Sequence, residues 1–206
     1  MLTVFKEAAG VYRPSSLADV PPDVIWIDLL NPTTEEIAFV ESQKKVRIPS
    51  VEALSEIESS SRLAVDHDVI YLSIPAVAQG DTPDAYLSPT GFILTKNALI
   101  TVRFAPLSIF DKVAEKVKQD KALQSATAIF TALLEAMVDR GADVLERLGA
   151  QLDKVSKSVF RGDPSRPKHT VRSNNALRRA LTSVGTTGDR LALARDVLLG
   201  VGRIAP

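Results

Sequence analysis

The stretch VIWIDLLNPTTEEIAFV, residues 24–40, predicts a buried strand followed directly by a capped helix. Its first seven residues are apolar apart from Asp28, as expected of a strand that is buried on both faces. An Asn-Pro pair ends the strand. Thr33 and Glu36 then have the spacing of a capping box, in which each side chain binds the backbone amide of the other residue. An α/β arrangement is therefore expected from this segment onward.

The same alternation of strands and short helices continues toward residue 106. A second short helix is predicted to begin at Ser50. Further strands are predicted over residues 62–65, 69–74, 91–95 and 98–104. The last two are joined by a two-residue hairpin turn at Lys96 and Asn97, and an Asp-His-Asp turn joins the first two. These elements predict an α/β domain over residues 1–106.

Residues 107–206 have a helical pattern throughout. A short helix is predicted over 111–120, a long one over about 125–160, and another over about 171–204. Apolar or small residues of the long helix recur at alternating steps of four and three, a heptad seam: Leu134, Val138, Gly141, Leu145, Leu148, Leu152, Val155 and Val159. The next helix has a second seam at Leu177, Leu181, Val184, Gly188, Leu191 and Leu198. The short Pro- and Gly-containing linker between them predicts an antiparallel helical hairpin.

The composition excludes several kinds of site. There is no cysteine, and the two histidines are His67 and His169, so thiolate sites and imidazole-rich zinc sites are excluded. A metal would be held mainly by oxygen atoms, which favours Mg²⁺ or Ca²⁺. No phosphate-binding glycine motif and no catalytic constellation occurs, so we do not expect an enzyme.

The charge is balanced overall but unevenly distributed. Residues 1–110 carry 8 basic and 14 acidic side chains, whereas residues 111–206 carry 17 and 11. A basic end suits an anionic membrane face, an acidic neighbouring subunit or a nucleic acid, or it is simply a solvated helix face. Because no aromatic residue follows Phe160, stacking on bases is disfavoured and we expect no nucleic-acid partner.

No secretory signal opens the sequence, and no stretch approaches the roughly 20 apolar residues of a membrane helix. We expect the chain as given to be soluble. Its apolar pattern is still running at Pro206, so we expect the natural sequence to continue there.

Asp81 and Asp84 are the candidate metal ligands. They lie three residues apart in a loop rich in turn-forming residues, where carboxylates can bind a divalent cation. The alternative is that both simply form the turn. Asp28 is expected to bind the turn after its strand, and His67 between two aspartates is better explained as a turn than as a catalytic base.

Three segments, in this order, resemble the CorA family of magnesium and divalent-cation transporters. They are Trp26-Ile27-Asp28-Leu29 with the Asn-Pro-Thr and Glu-Glu that follow, Ile93-Leu94-Thr95-Lys96-Asn97, and residues 139–160. The resemblance implies a cytoplasmic domain with a mixed β-sheet sandwiched by helices (α/β/α), then two long helices. It also implies a homopentameric channel in the plasma membrane, reached through a carboxy-terminal segment that this sequence lacks.

In the magnesium-selective members of that family, intracellular Mg²⁺ bridges carboxylates of adjacent subunits and holds the channel closed. The resemblance assigns Asp81 to the sensing loop, with Asp84 as a substitute and Asp196 as the acid facing it from the neighbouring subunit. A zinc-transporting relative without this pair, or an interaction scaffold that uses the helical hairpin, remains an alternative. The residues are compatible with either Mg²⁺ or Zn²⁺.

Overall fold

The computed structural model describes the chain except for residues 7–9, 13, 15–16, 22, 57–62, 161–169 and 205–206. In the described part of the chain the strands are β1 (Leu2–Lys6), β2 (Gly10–Tyr12), β3 (Val24–Leu30), β4 (Leu63–Asp66), β5 (Val69–Ala78), β6 (Tyr86–Leu94) and β7 (Leu99–Arg103). The helices are α1 (Thr34–Lys44), α2 (Val51–Ser55), α3 (Ser108–Gln119), α4 (Ala126–Phe160) and α5 (Thr170–Gly202).

These strands form one mixed sheet in the order β2-β1-β3-β7-β6-β5-β4. β3 and β7 run parallel at its centre, and the other neighbours are antiparallel. The central strands are buried along most of their length because helices cover both faces, as expected of parallel neighbours.

Alternate residues of the central strands face two separate cores. On one side, Ile27, Ile93 and Ile100 pack with Val40 of α1 and Leu54 of α2. On the other side, the sheet packs against α3, the first turns of α4 and the last turns of α5. The members of this second core include Trp26, Phe92, Leu99, Phe110, Val113, Ile129, Leu133, Met137, Val197 and Val201. The predicted α/β/α class with a mixed sheet is therefore confirmed.

The carboxy-terminal end of α5 lies very close to β5. A Cβ atom added to Gly200 would stand 2.9 Å from the Cδ atom of Pro75 and 3.2 Å from a methyl carbon of Ile74. Only glycine allows this helix to approach the strand so closely. The end of the hairpin is thereby fixed to the sheet.

Most local predictions from the sequence are found in place. Thr33 accepts from the amide of Glu36, and the Glu36 carboxylate accepts from the amide of Thr33, so the capping box is present. Ser50 caps α2. The sequence did not predict β1 and β2. The strand predicted over residues 62–65 is β4, and residue 62 lies outside the described residues. The division of the chain at residue 106 stays a prediction, because α3 and α4 pack directly on the sheet.

The helical hairpin is antiparallel, and its two helices meet along only part of the predicted seams. Gly141 of α4 packs against Leu198 of α5, and Gln151 donates to Ser183 at 3.2 Å further along. Of the eight predicted seam residues of α4, Gly141 and Leu148 are buried. Four others, spaced seven residues apart, are exposed: Val138, Leu145, Leu152 and Val159. The seam of α5 is exposed as well, at Leu177, Leu181, Val184 and Leu191.

The first turns of α4 also differ from the prediction. The predicted heptad seam begins at Leu134 and assigns no role to the residues before it. Ala126, Ile129, Leu133 and Met137 are nevertheless buried against the sheet, at steps of three and four residues. α4 is therefore a core helix at its start and a hairpin helix further on.

A buried ion pair joins the two parallel strands at the centre of the sheet. Arg103 of β7 donates from Nε and Nη2 to both oxygens of Asp28 in β3, at 2.8–3.1 Å, and each side chain is 6% exposed. Thr101 donates to the same carboxylate at 2.8 Å and accepts from the indole of Trp26 at 3.0 Å. The expectation that Asp28 binds the following turn is therefore wrong, because its partners lie on a strand more than 70 residues away.

We expect Asp28→Asn to destabilise the fold by about 3–5 kcal/mol, because it leaves the Arg103 guanidinium buried without a counter-charge. Urea unfolding followed by circular dichroism measures the change. Asp23→Asn is the matched control, since Asp23 pairs with Lys6 at the surface and should leave the stability nearly unchanged. Equal losses in the two variants would contradict the role given to the buried pair.

Candidate functional site

The loop of residues 79–85 joins β5 to β6, whose last pair is Ala78 with Tyr86. Gln79 has a φ of 52°, in the left-handed region, which turns the chain out of β5. The amide and the hydroxyl of Thr82 both donate to the Gln79 carbonyl, at 2.9 and 3.0 Å. Local hydrogen bonds therefore hold the loop that carries Asp81 and Asp84.

Arginines from both helices of the hairpin hold this loop. Arg140 of α4 donates to Oδ1 of Asp81 at 2.6 Å, and Arg147, two turns later, lies 3.5 Å from the same atom. Arg190 of α5 donates to the carbonyl oxygen of Thr82 at 3.2 Å. The loop at the end of the sheet is thus connected to α4 by charge and to α5 by a hydrogen bond.

The Asp81 carboxylate is ionised at neutral pH. The hydrogen bond from Arg140, followed by the charge of that guanidinium, lowers the pKa of Asp81 below its ordinary value of 3.8. Its side chain remains 68% exposed. The carboxylate can therefore still present an oxygen atom to a ligand that approaches from solvent.

The other two candidate ligands do not join Asp81. Asp84 is exposed in the same loop. Asp196 lies on α5 and pairs with its neighbour Arg195 at 2.9 Å. In the described part of the chain, no three His, Asp or Glu side chains come close enough to hold a metal ion. A metal site that uses these aspartates would therefore need carboxylates from another copy of the chain, and their assignment stays a prediction.

The functional residues that sequence reasoning missed are the arginines facing the loop. The seven-residue spacing of Arg140 and Arg147 places both on the same side of α4, but the sequence does not say which loop they face. Arg190 is one of the 17 basic side chains of residues 111–206, and the sequence indicates no partner for it. Their partners depend on how the hairpin docks on the sheet.

The fold consists of an α/β/α sandwich extended by an antiparallel helical hairpin, with an aspartate loop between the two. Solved proteins share the overall fold: the full-length CmaX protein has a TM-score of 0.59 and 17% identity, and the match covers 99% of this chain and 73% of that protein's chain. The ZntB cytoplasmic domain of Vibrio parahaemolyticus has a TM-score of 0.56 and 14% identity, with 99% and 92% covered. At these identities the likeness concerns the fold alone.

Residues 22–199 match the family described as CorA-like Mg2+ transporter protein, and the chain belongs to that family. A curated relative, the magnesium transport protein CorA of Wolinella succinogenes, is 27% identical over 170 residues, which is 78% of this chain and 53% of the relative. The chain thus spans about half the length of the curated relatives it matches. The family resemblance expected from the sequence is confirmed.

None of the helices in the described part of the chain is both long enough and apolar enough to cross a membrane.

We expect the Asp81–Arg140 contact to contribute about 0.2–1 kcal/mol of coupling free energy, the range of exposed ion pairs. The double-mutant cycle of Asp81→Asn and Arg140→Gln measures it by urea unfolding. Because the folded-state pKa of Asp81 is lowered, this contribution is present above pH 3.8 and is lost as the pH falls below that value.

Arg195→Gln in place of Arg140→Gln is the matched control for this cycle, since Arg195 pairs with Asp196 and not with Asp81. Its effect should add to that of Asp81→Asn at every pH. A coupling that is as large with Arg195, or that persists unchanged in acid, would refute the assignment.

Proposed function

We propose that this chain is the cytoplasmic regulatory part of a CorA-like transporter of Mg²⁺ or another divalent cation in the plasma membrane. Membership of the family and the magnesium-transport relative from Wolinella succinogenes support this proposal. In this proposal the chain binds the ion and regulates a channel, and the conducting segment belongs to the rest of the longer protein.

The position of Asp81 is the observation that carries the sensing role. Its carboxylate is open to solvent yet in contact with Arg140 and Arg147 of the long helix. A hard cation prefers such an ionised oxygen ligand. Binding there alters the charge at the contact that joins the sheet to the hairpin, so occupancy is communicated to the helices.

The proposed site is completed between subunits. Mg²⁺ favours six oxygen ligands, and Asp81 with Asp84 supplies only part of that set. An acid of the next subunit, for which Asp196 is the candidate, would supply more. Two carboxylates facing each other across an interface repel when the site is empty and are attracted when a dication bridges them. Ion binding is thereby converted into a preference for one quaternary state.

We expect millimolar Mg²⁺ to raise the unfolding temperature of the chain, because an ion that binds only the folded state stabilises it. Asp81→Ala should remove most of this shift, whereas Asp153→Ala, at an exposed acid on α4, should keep it. Differential scanning calorimetry combined with sedimentation velocity measures stability and association together. An unchanged Mg²⁺ shift in Asp81→Ala would remove that residue from the sensor.

The exposed apolar residues of the hairpin support self-association, with a pentamer as the expected state. The α4 stripe, defined as Val138, Leu145, Leu152 and Val159, is between 38% and 41% exposed. On α5, Leu177 and Leu181 are more than half exposed. Large apolar side chains repeated along one exposed helix face are typical of an interface. Helices that present it at heptad spacing can pack against copies of themselves.

We expect Leu145→Gln combined with Leu152→Gln to weaken self-association, because both changes remove apolar area from the α4 stripe. Leu63→Gln is the control, since Leu63 is 45% exposed on the edge strand β4 and away from the hairpin. Sedimentation equilibrium measures the association constant of each. Equal association in all three proteins would exclude the stripe as the interface.

A zinc-transporting relative is the second candidate, and the fold shared with the ZntB cytoplasmic domain is compatible with it. Repeating the calorimetric titration with Zn²⁺ separates the two: a Zn²⁺ response that survives Asp81→Ala favours the zinc relative. The interaction scaffold is supported by the exposed hairpin residues alone. It predicts no response to either ion.

A further inference from the structure

A cavity of about 610 Å³ lies where the sheet meets the helices. Its walls are the end of the β5–β6 hairpin, the start of α3, the middle of α4 and the second half of α5. This volume falls within the range of about 300–1,000 Å³ that small-molecule sites occupy. Neither the ion-sensing proposal nor the packing of the core accounts for it.

The floor of the cavity is apolar. Ala78 of β5, Met137 and Leu148 of α4, and Ala194 and Val197 of α5 line it, and each is at most 6% exposed. These residues come from three separate elements, β5, α4 and α5, and their side chains line the cavity without filling it. An apolar body of a ligand would find complementary surface there.

The mouth of the cavity is positively charged. Arg140, Arg147 and Arg190 line it together with Asp81 and Asp111, which leaves an excess of one positive charge. Arg140 and Arg147 share one oxygen of Asp81, while Arg190 donates to a neutral carbonyl. A guanidinium has five N–H donors, so these contacts leave donors for a further acceptor.

The amino-terminal end of α3 adds to this positive field. Leu107, Ser108 and Ile109 line the cavity, and α3 begins there without a side-chain cap. The first amides of a helix carry a partial positive charge when no side chain caps them. Asp111 in the first turn offsets part of that charge.

We propose that this cavity binds a small amphipathic anion: a carboxylate or phosphate monoester group at the arginines, carried on an apolar body that occupies the floor. Charge complementarity selects the head group, since an anion at Arg190 and Arg140 meets two charge-assisted donors. The apolar floor selects the body. A purely apolar ligand would make no use of the remaining guanidinium donors, and a free inorganic anion would leave the floor uncovered.

Binding to the full chain is measured by isothermal titration calorimetry without divalent cations, so the result does not depend on metal sensing. The probes are decanoate and decyl phosphate, each used below its micelle concentration, with 1-decanol and inorganic phosphate as the neutral and the tail-less comparison. We expect saturable binding of one decanoate or decyl phosphate per chain, and binding about tenfold or more weaker for both comparison compounds.

The variant Arg140→Gln combined with Arg190→Gln should weaken decanoate binding about tenfold or more, because both head-group donors lose their charge. Arg195→Gln is the matched control on α5, outside the cavity, and should bind decanoate as the unmodified chain does. Circular dichroism checks that each variant is folded.

Val144→Trp tests the apolar body separately. Val144 lines the cavity from α4 and is half-buried, so the larger ring enters the cavity without displacing a core residue. Decanoate binding should be lost. The proposal is overturned if decanoate does not bind, if 1-decanol binds as tightly as decanoate, or if binding survives Val144→Trp. Equal affinity in the double arginine variant would overturn it as well. Preference between decanoate and decyl phosphate then identifies the head group.

Discussion

Asp28 and Arg103 form a buried ion pair at the centre of the sheet. The helices on both faces of the sheet depend on this ion pair, because it holds together the two central strands against which they pack. Two charges out of water are costly, and their attraction compensates only when the remaining donors and acceptors are satisfied. Here Thr101 donates a further hydrogen bond to the Asp28 carboxylate. Arg103 also donates to the Ala105 carbonyl at 3.3 Å, and its guanidinium carbon lies 4.9 Å from the centre of the Phe110 ring. The pair therefore joins β3 to β7 and then joins β7 to the first turn of α3.

This pair also makes the strand register specific. β3 and β7 pair in parallel with Asp28 beside Thr101 and Leu30 beside Arg103. An apolar strand could slide along its neighbour at small cost, but a shift of one residue would turn Arg103 to the opposite face and leave both charges buried alone. Buried polar groups can thus specify an arrangement that hydrophobic packing only favours. Because Arg103 contacts Phe110, the register of β7 also determines where α3 packs on the sheet.

The sequence predicted what depends on near neighbours. The capping box at Thr33, the apolar strand before it and the hairpin turn at Lys96 each involve residues within a few positions of one another, and the α/β/α class followed from them and from the family resemblance. Contacts between distant segments were missed, because no local pattern states a partner. The heptad spacing of Val138 and Leu145 correctly indicated a helix with an apolar stripe. It could not show that α5 packs against the seam at Gly141 while Val138 and Leu145 stay exposed, and the partners of Asp81 were missed for the same reason.

The arginines at the end of the sheet connect the two proposed ligands. Arg140 and Arg147 share the Asp81 carboxylate, so any anion that draws them away increases the negative charge that Asp81 presents to a cation. In the proposed function, a cation at Asp81 in turn frees the guanidinium groups for an anion. The two proposed ligands therefore bind with positive coupling, and thermodynamic reciprocity makes that coupling equal in both directions. The loop of residues 79–85 would then report the presence of two ligands through one contact with the long helix.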